Sequence, residues 1–221
     1  MTSAAVQILP PPPLRHVVVE GVIGVGKTSL VEGLGRLLDA RTVLESFADN
    51  PFLAAFYADP ERHAFATEMF FLVHRFAQQE SLLQGDLLHR VLVSDYLFEK
   101  CRLFAGVTLR EHELRLFDRV WDLLQRQVPR PDLVIYLHAP VSVVQARIGA
   151  RGRSFEQTIE PAYLHDLDRQ YRALLATWPA DQVAWVDTTD LDLRQPAQVA
   201  ALWERIAAGH RGALDAADLV R

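Results

Sequence analysis

Gly21-Val22-Ile23-Gly24-Val25-Gly26-Lys27-Thr28 is the stretch on which the reading of this chain turns. It has the form G-x-x-x-x-G-K-[ST], in which glycines let the backbone curl and aim several N–H groups at one anion. Its flanks fit that form. Val17-Val18-Val19 reads as a buried strand, and Ser29 to Asp39 as a helix with Leu30, Leu34, Leu37 and Leu38 on one side. The helix N-terminus adds partial positive charge at the loop. Gly21, Gly24, Val25, Gly26, Lys27, Thr28 and Ser29 are therefore the candidate phosphate cradle. Lys27 has the length to reach β- and γ-phosphates, and the Thr28 hydroxyl can bind Mg²⁺. The stretch points to a nucleoside triphosphate with magnesium.

Outward from the loop, strands and helices alternate, which implies a parallel sheet wrapped by helices. Five strands are expected: Arg15–Glu20, Thr42–Glu45, Val91–Ser94, Leu133–Leu137 and Val183–Asp187. Helices are expected near 62–83, 97–105, 110–127, 141–148, 161–177 and 196–208. Residues 1–14, with the stiff run Pro10 to Pro13, read as an N-terminal tail, and 15–221 as one domain. Half the 221 residues are hydrophobic, enough for a sizeable core. A net charge of −5 argues against nonspecific nucleic-acid binding. No signal peptide and no apolar stretch of membrane-spanning length is visible. Cys101 is the only cysteine, so no internal disulfide can form, which suits a reducing cytoplasm.

Ligands of open α/β sheets bind beyond the carboxyl ends of the strands. Glu45, Asp95 and the glycine-rich loop all follow strands and should converge on one cleft. A GTPase would need Asn-Lys-x-Asp to read guanine, but Asn50 is the only asparagine and Pro51 follows it. A nucleic-acid motor lacks its second motif. A small-molecule kinase remains, with a nucleotide-binding regulator as the rival of a different class. From Thr42 to Glu61 there is no Lys or Arg to greet a phosphorylated acceptor. A neutral alcohol suits Glu45 instead, as the carboxylate that accepts the hydroxyl proton; the plainer alternative is a solvated loop acid.

These residues carry a resemblance. The loop, Glu45, Asn50-Pro51-Phe52-Leu53 with Phe56-Tyr57, Ala64-Phe65 to Phe70-Phe71-Leu72 with Arg75, and Arg147 with Arg151-Gly152-Arg153 resemble the deoxyribonucleoside kinases. Glu156 and Tyr163-Leu164 continue the pattern, which runs from about Val17 to Tyr171. The resemblance implies a P-loop kinase fold, ATP as donor, Glu45 as base near a sugar 5′-hydroxyl, and Tyr57 and Glu156 as partners of the 3′-hydroxyl. It also implies a homodimer. Arg147, Arg151 and Arg153 resemble the family's arginine-rich lid, and three guanidiniums at these offsets can surround a phosphate whose charge is spread over its oxygens.

Two departures stand out. After strand three the family usually has an acid, then Arg and Ser; Ser94-Asp95-Tyr96 stands there, as in the bacterial deoxyguanosine kinase branch. Asp95 can help to bind magnesium, but the family arginine has no counterpart at that place. Glu68 stands where most relatives have Gln. Guanine's pairing edge offers two parallel donors, which suit an ionised carboxylate; adenine's donor and acceptor suit an amide. Glu68 thus favours deoxyguanosine, with deoxyadenosine or deoxycytidine as the alternative, and Arg75 and Lys100 are candidate donors to guanine O6 or N7. A structural Glu68–Arg75 ion pair is the alternative for that helix face. Phe65, Met69, Leu72 and Phe76 read mostly as core, His63 and His74 as helix surface, the four tryptophans as packing, and Asp166 and Asp168 as solvated acids.

Overall fold

The computed structural model describes residues 14–45, 47–83, 90–153, 156 and 159–219. The expected tail at residues 1–13, including Pro10 to Pro13, lies outside them. Strand β1 (His16–Glu20) is the axis of the sheet. It lies between β3 (Leu92–Ser94) and β4 (Leu133–His138), both parallel to it. Outward of these lie β2 (Arg41–Val43) on one side and β5 (Val183–Asp187) on the other. Leu133 to Leu137 are all fully buried. Such an unbroken apolar run is the mark of a strand covered on both faces, and it is why the run was legible without alternation.

A short strand, β6 (Ala213–Leu214), pairs parallel with β5 and makes the order β2-β3-β1-β4-β5-β6. The expectation of five strands is therefore corrected to six among the described residues. Two residues followed by the helix α9 (Ala216–Leu219) are too few to show a strand period.

Helix α1 (Lys27–Leu38) leaves the glycine-rich loop directly and packs on α8 (Pro196–Ala207). A Cβ at Gly33 would lie 2.9 Å from Val199 Cγ2, so the two helices meet at a position only hydrogen can occupy. On the other side of the site, α2 (Leu53–Ala58) leads into the long α3 (Pro60–Leu83). Helices α4 (Lys100–Thr108) and α5 (Glu111–Leu124) pack against α3 through Leu72, Phe98, Cys101, Ala105 and Phe117. Phe65, Met69 and Phe76 join that satellite core, as their helical spacing implied. Truncating Leu72 to Ala there costs about 2–5 kcal/mol by loss of transfer free energy and cavity formation.

Helices α6 (Val141–Arg151) and α7 (Pro161–Leu175) complete the wrap. Asp168 on α7 is not merely solvated, as its sequence suggested. It accepts from the buried Tyr136 hydroxyl at 2.7 Å and so satisfies a polar group in the core. His74 lies at the edge of a weak 4.0 Å pairing with Asp49. No helix among the described residues is long and apolar enough to cross a membrane.

Candidate active site

The glycine-rich loop, the ends of β2 and β3, and α2, α3, α4 and α7 enclose a cavity of about 300 Å³, at the small end of ligand-pocket sizes. The loop's shape depends on glycine. Gly21 has φ +146°, and a Cβ there would lie 2.3 Å from the Leu137 carbonyl oxygen; Gly24 has φ +84° with Ile148 at 2.6 Å. Val25 is fully buried and shapes the loop from inside. Lys27 turns back on the loop, donating to the carbonyls of Gly21 at 2.8 Å and Val22 at 3.1 Å. Burial, reinforced by Lys100, pushes its ammonium down to about 8.

Asp95 joins the two halves of the site. Its Oδ2 accepts from the Thr28 hydroxyl at 3.2 Å, and its Oδ1 accepts from the Glu45 backbone N–H at 2.7 Å. One carboxylate thus fixes the first helix turn and the acid that follows β2. The Thr28–Asp95 pair also fits magnesium, which takes hard oxygen donors and is commonly held by few protein groups plus phosphate and water. Among the described residues no cluster of three or more His, Cys, Asp or Glu offers a fuller cage.

Glu45 lies between two cations. Its Oε1 accepts from Arg75 Nε at 2.8 Å and from Arg75 Nη2, and its Oε2 accepts from Lys100 Nζ at 2.7 Å. Burial raises its carboxyl, but Arg75 and Lys100 outweigh this and hold it well below the usual carboxylate range. Arg75 also donates to Cys101 Sγ at 3.1 Å and stacks over Phe71 at 4.7 Å. Two sequence expectations change here. Arg75 and Lys100 face Glu45 rather than standing free for guanine O6 or N7, and Arg75 pairs with Glu45 instead of Glu68. Lys100, from the first turn of α4, places a cation near Asp95.

Glu68, 3% exposed, lines the cavity from α3, and its Oε1 accepts from Thr108 Oγ1 at 3.0 Å. Burial raises its carboxyl to about 7 against smaller opposing effects of Arg75 and Thr108. Tyr57 lines the same cavity, and burial with nearby Glu156 raises its phenol.

The lid residues divide. Arg151 donates to Glu156, and Arg153 donates to Glu156 Oε1 at 3.3 Å while stacking 4.1 Å over Phe47. Gly152 ends α6 between them at φ +72°. Arg147, expected with them, is not in the cavity wall. It donates to Val25 O at 3.3 Å and Thr188 Oγ1 at 2.9 Å, bracing the loop against the end of β5. The reason is position along the helix: Arg147 lies one turn before Arg151 on the same face of α6, set back by about 6 Å, and so meets the loop and the end of β5 rather than the cavity.

Sequence reasoning passed over Glu20. This buried acid ending β1 accepts from Gly21 N and Leu97 N, both at 2.9 Å, and ties the loop to the chain after β3. Its signal was a carboxylate closing an apolar strand. Thr108 was also passed over; it lies two turns along α4 from Lys100, a spacing visible only once α4 is known to face the site.

A P-loop on a parallel sheet, a buried acid beyond the second strand and basic groups at the rim define a phosphoryl-transfer enzyme acting on a small acceptor. Residues 17–206 match the family model described as deoxynucleoside kinase. A deoxyguanosine kinase of Bacillus subtilis (strain 168) is 35% identical over 194 residues, covering 87% of this chain and 94% of that one. A deoxyadenosine kinase of Dictyostelium discoideum is 29% identical, covering 79% and 74%. The solved deoxyadenosine kinase of M. mycoides with bound dCTP shares the fold, with a TM-score of 0.73 at 19% identity over 87% of this chain and 99% of that one. The chain belongs to the deoxynucleoside kinase family, and its activity is that of a deoxynucleoside kinase.

Proposed function

We propose that this kinase takes its phosphoryl group from ATP, with magnesium, and delivers it to the 5′-hydroxyl of a purine deoxynucleoside, deoxyguanosine before the others. Residues 15–221 act in this reading as one kinase domain. The observation that carries the base preference is Glu68, a buried carboxyl in the cavity wall whose neighbour Thr108 supports it without neutralising it. An ionised carboxylate accepts from both guanine N1–H and the 2-amino group; it would face the lone pair of adenine N1.

In the reaction, Lys27 exchanges the loop carbonyls for phosphate oxygens. Bound magnesium supplies charge neutralisation at those oxygens. Glu45 is always ionised at working pH, so it is ready to accept. Its low basicity means that the hydroxyl proton passes to it late, when the attacking oxygen has become acidic, as a loose transition state allows. Glu156 can bond either the lid arginines or a sugar 3′-hydroxyl. A sugar hydroxyl bound there releases Arg151 and Arg153 towards the transferring phosphate. Arg151→Ala should therefore slow turnover while nucleoside affinity stays near wild type; an effect on affinity alone would remove Arg151 from phosphate.

The deciding assay offers deoxyguanosine, deoxyadenosine, deoxycytidine and thymidine at fixed ATP and magnesium. Deoxyguanosine should lead deoxyadenosine in kcat/KM by about ten- to a hundredfold at pH 8, the worth of one unpaired buried polar group. A lead for deoxyadenosine at that pH would overturn the guanine reading. The deoxyadenosine and deoxycytidine reading has one observation in its favour: near pH 7 a carboxyl raised to about 7 is partly neutral, and a neutral acid offers both donor and acceptor.

We also read α4 and α5 as the pairing surface of a homodimer. Leu116 and Leu123, seven apart and so on one face of α5, are 52% and 69% exposed, which leaves two leucines for a second copy to cover. Light scattering should give twice the chain mass, and Leu123→Asp should halve it.

A further inference from the structure

We propose that the proton on Glu68 selects the base: ionised, the carboxyl takes guanine, and neutral, it takes adenine or cytosine. The inference rests on the reading of Glu68 as the base-facing group. Its geometric support is the placement of Thr108. The Thr108 hydroxyl lies 3.0 Å from Glu68 Oε1 and 2.9 Å from the Phe104 carbonyl oxygen. A hydroxyl has one proton to give and lone pairs to receive. With Glu68 ionised, Thr108 donates to Oε1. With a proton on Glu68, Thr108 can keep that bond, which leaves the proton on Oε2, or accept from Glu68 and donate to Phe104. Either state of the carboxyl is satisfied without moving a heavy atom. A dedicated anion site would be built differently, as Glu45 is, with two cations in direct contact.

The chemistry of the bases completes the argument. Guanine presents two donors side by side. Adenine and cytosine each present an amino donor beside a ring-nitrogen acceptor. A carboxylate has only acceptors; a carboxylic acid has one donor and one acceptor. The same side chain therefore complements one class of base in each protonation state, where a glutamine would complement only the second. The surroundings leave the balance near neutrality. On α3, Arg75 lies two turns away with its head on Glu45; from α4 come Lys100, also on Glu45, and the uncharged Thr108; beyond β2 lies Glu45 itself. Tyr57 of α2 and Tyr163 of α7 face the same cavity as neutral phenols, each raised by burial. Burial is the largest effect on Glu68 and brings it to about 7.

The test is the ratio of kcat/KM for deoxyguanosine to that for deoxyadenosine between pH 6 and 8. Groups that both substrates share, Glu45 and the phosphates among them, cancel in the ratio, and both nucleosides keep their own protonation state over this range. The ratio should rise about tenfold per pH unit, the signature of one proton bound with one substrate and absent with the other. In Glu68→Gln it should be flat. Thr108→Val removes the donor while keeping the shape, so the pH at which the two substrates are equal should move up. Calorimetry of nucleoside binding in buffers of different ionisation enthalpy gives a readout free of turnover: deoxyguanosine binding at pH 6.5 should release protons, and deoxyadenosine binding at pH 7.5 should take them up. A flat wild-type ratio with deoxyguanosine still preferred would overturn this inference and leave the guanine reading intact. Absence of deoxyguanosine phosphorylation at every pH would overturn both.

Discussion

Two glutamates line one cavity, and they have been driven in opposite directions. Glu45 is partly buried, and Arg75 and Lys100 keep it ionised far below the ordinary carboxylate range. Glu68 is more deeply buried and has a hydroxyl for a partner, and burial brings it to about 7. Desolvation acts on both; a contact cation decides the outcome. The same side chain can thus be a fixed charge at one wall and a titrating group at the other. Removing charge from the first should damage the chemistry, and removing it from the second should alter only what is chosen.

The largest effect belongs to the fixed charge. Glu45→Gln should lower kcat by about 10²–10⁴ while ATP affinity, measured by calorimetry, stays near wild type. Turnover within a few-fold of wild type would end the role of Glu45 as proton acceptor and blur the contrast. Next comes Glu68→Gln, which should leave kcat for the better substrate largely intact. At pH 8 it should move the deoxyguanosine-to-deoxyadenosine kcat/KM ratio down by about ten- to a hundredfold.

A subtler perturbation makes the two glutamates more alike. Lys100→Met takes one cation from Glu45 and keeps the chain length. The Glu45 carboxyl must then rise towards its usual range, so the acid limb of the kcat–pH profile should move to higher pH. An unmoved limb would show that Lys100 does not set the ionisation of Glu45.

The smallest effect is on the ligand-free fold, where the signs differ. The folded-state value of Glu45 lies below the unfolded one, so its contribution is present above the unfolded value and is lost as pH falls through the folded one. Glu68 is raised from 4.5 to about 7, so the folded state holds the extra proton between those values. Its contribution is full below the unfolded value and is lost as pH rises through about 7. Glu68→Gln should therefore raise Tm at pH 8, by a stabilisation on the order of 1–3 kcal/mol, and change it little at pH 4. An equal gain at both pH values would assign the effect to packing rather than to charge.

What could be read in advance follows the range of the forces involved. The glycine-rich loop, the apolar strands and the long α3 are encoded by neighbours in sequence, through backbone freedom at glycine and hydrophobic period, and these elements fell where they were expected. Glu45 and Asp95 could be named because each follows a strand whose end faces the ligand side of a parallel sheet; Glu68 was named from the resemblance, as the acid where most relatives have Gln. The partners of those residues could not be named. Arg75 looked like a companion of Glu68, seven residues away on one helix, but its guanidinium reaches Glu45 across the cavity. Arg147 belonged to a run of arginines, but it lies one helical turn back from Arg151, where it bonds Val25 and Thr188.

The sequence by itself determined the class of fold and the glycine-rich loop, because local patterning and one motif specify them. Only the tertiary structure decided which cation neutralises which acid. Contacts such as Lys100 to Glu45 and Thr108 to Glu68 join residues 55 and 40 apart, and their geometry is set by how α4 lies against the end of β2 and against α3. Since those contacts fix whether a carboxyl is charged, the contrast between the two glutamates arises at the level of packing.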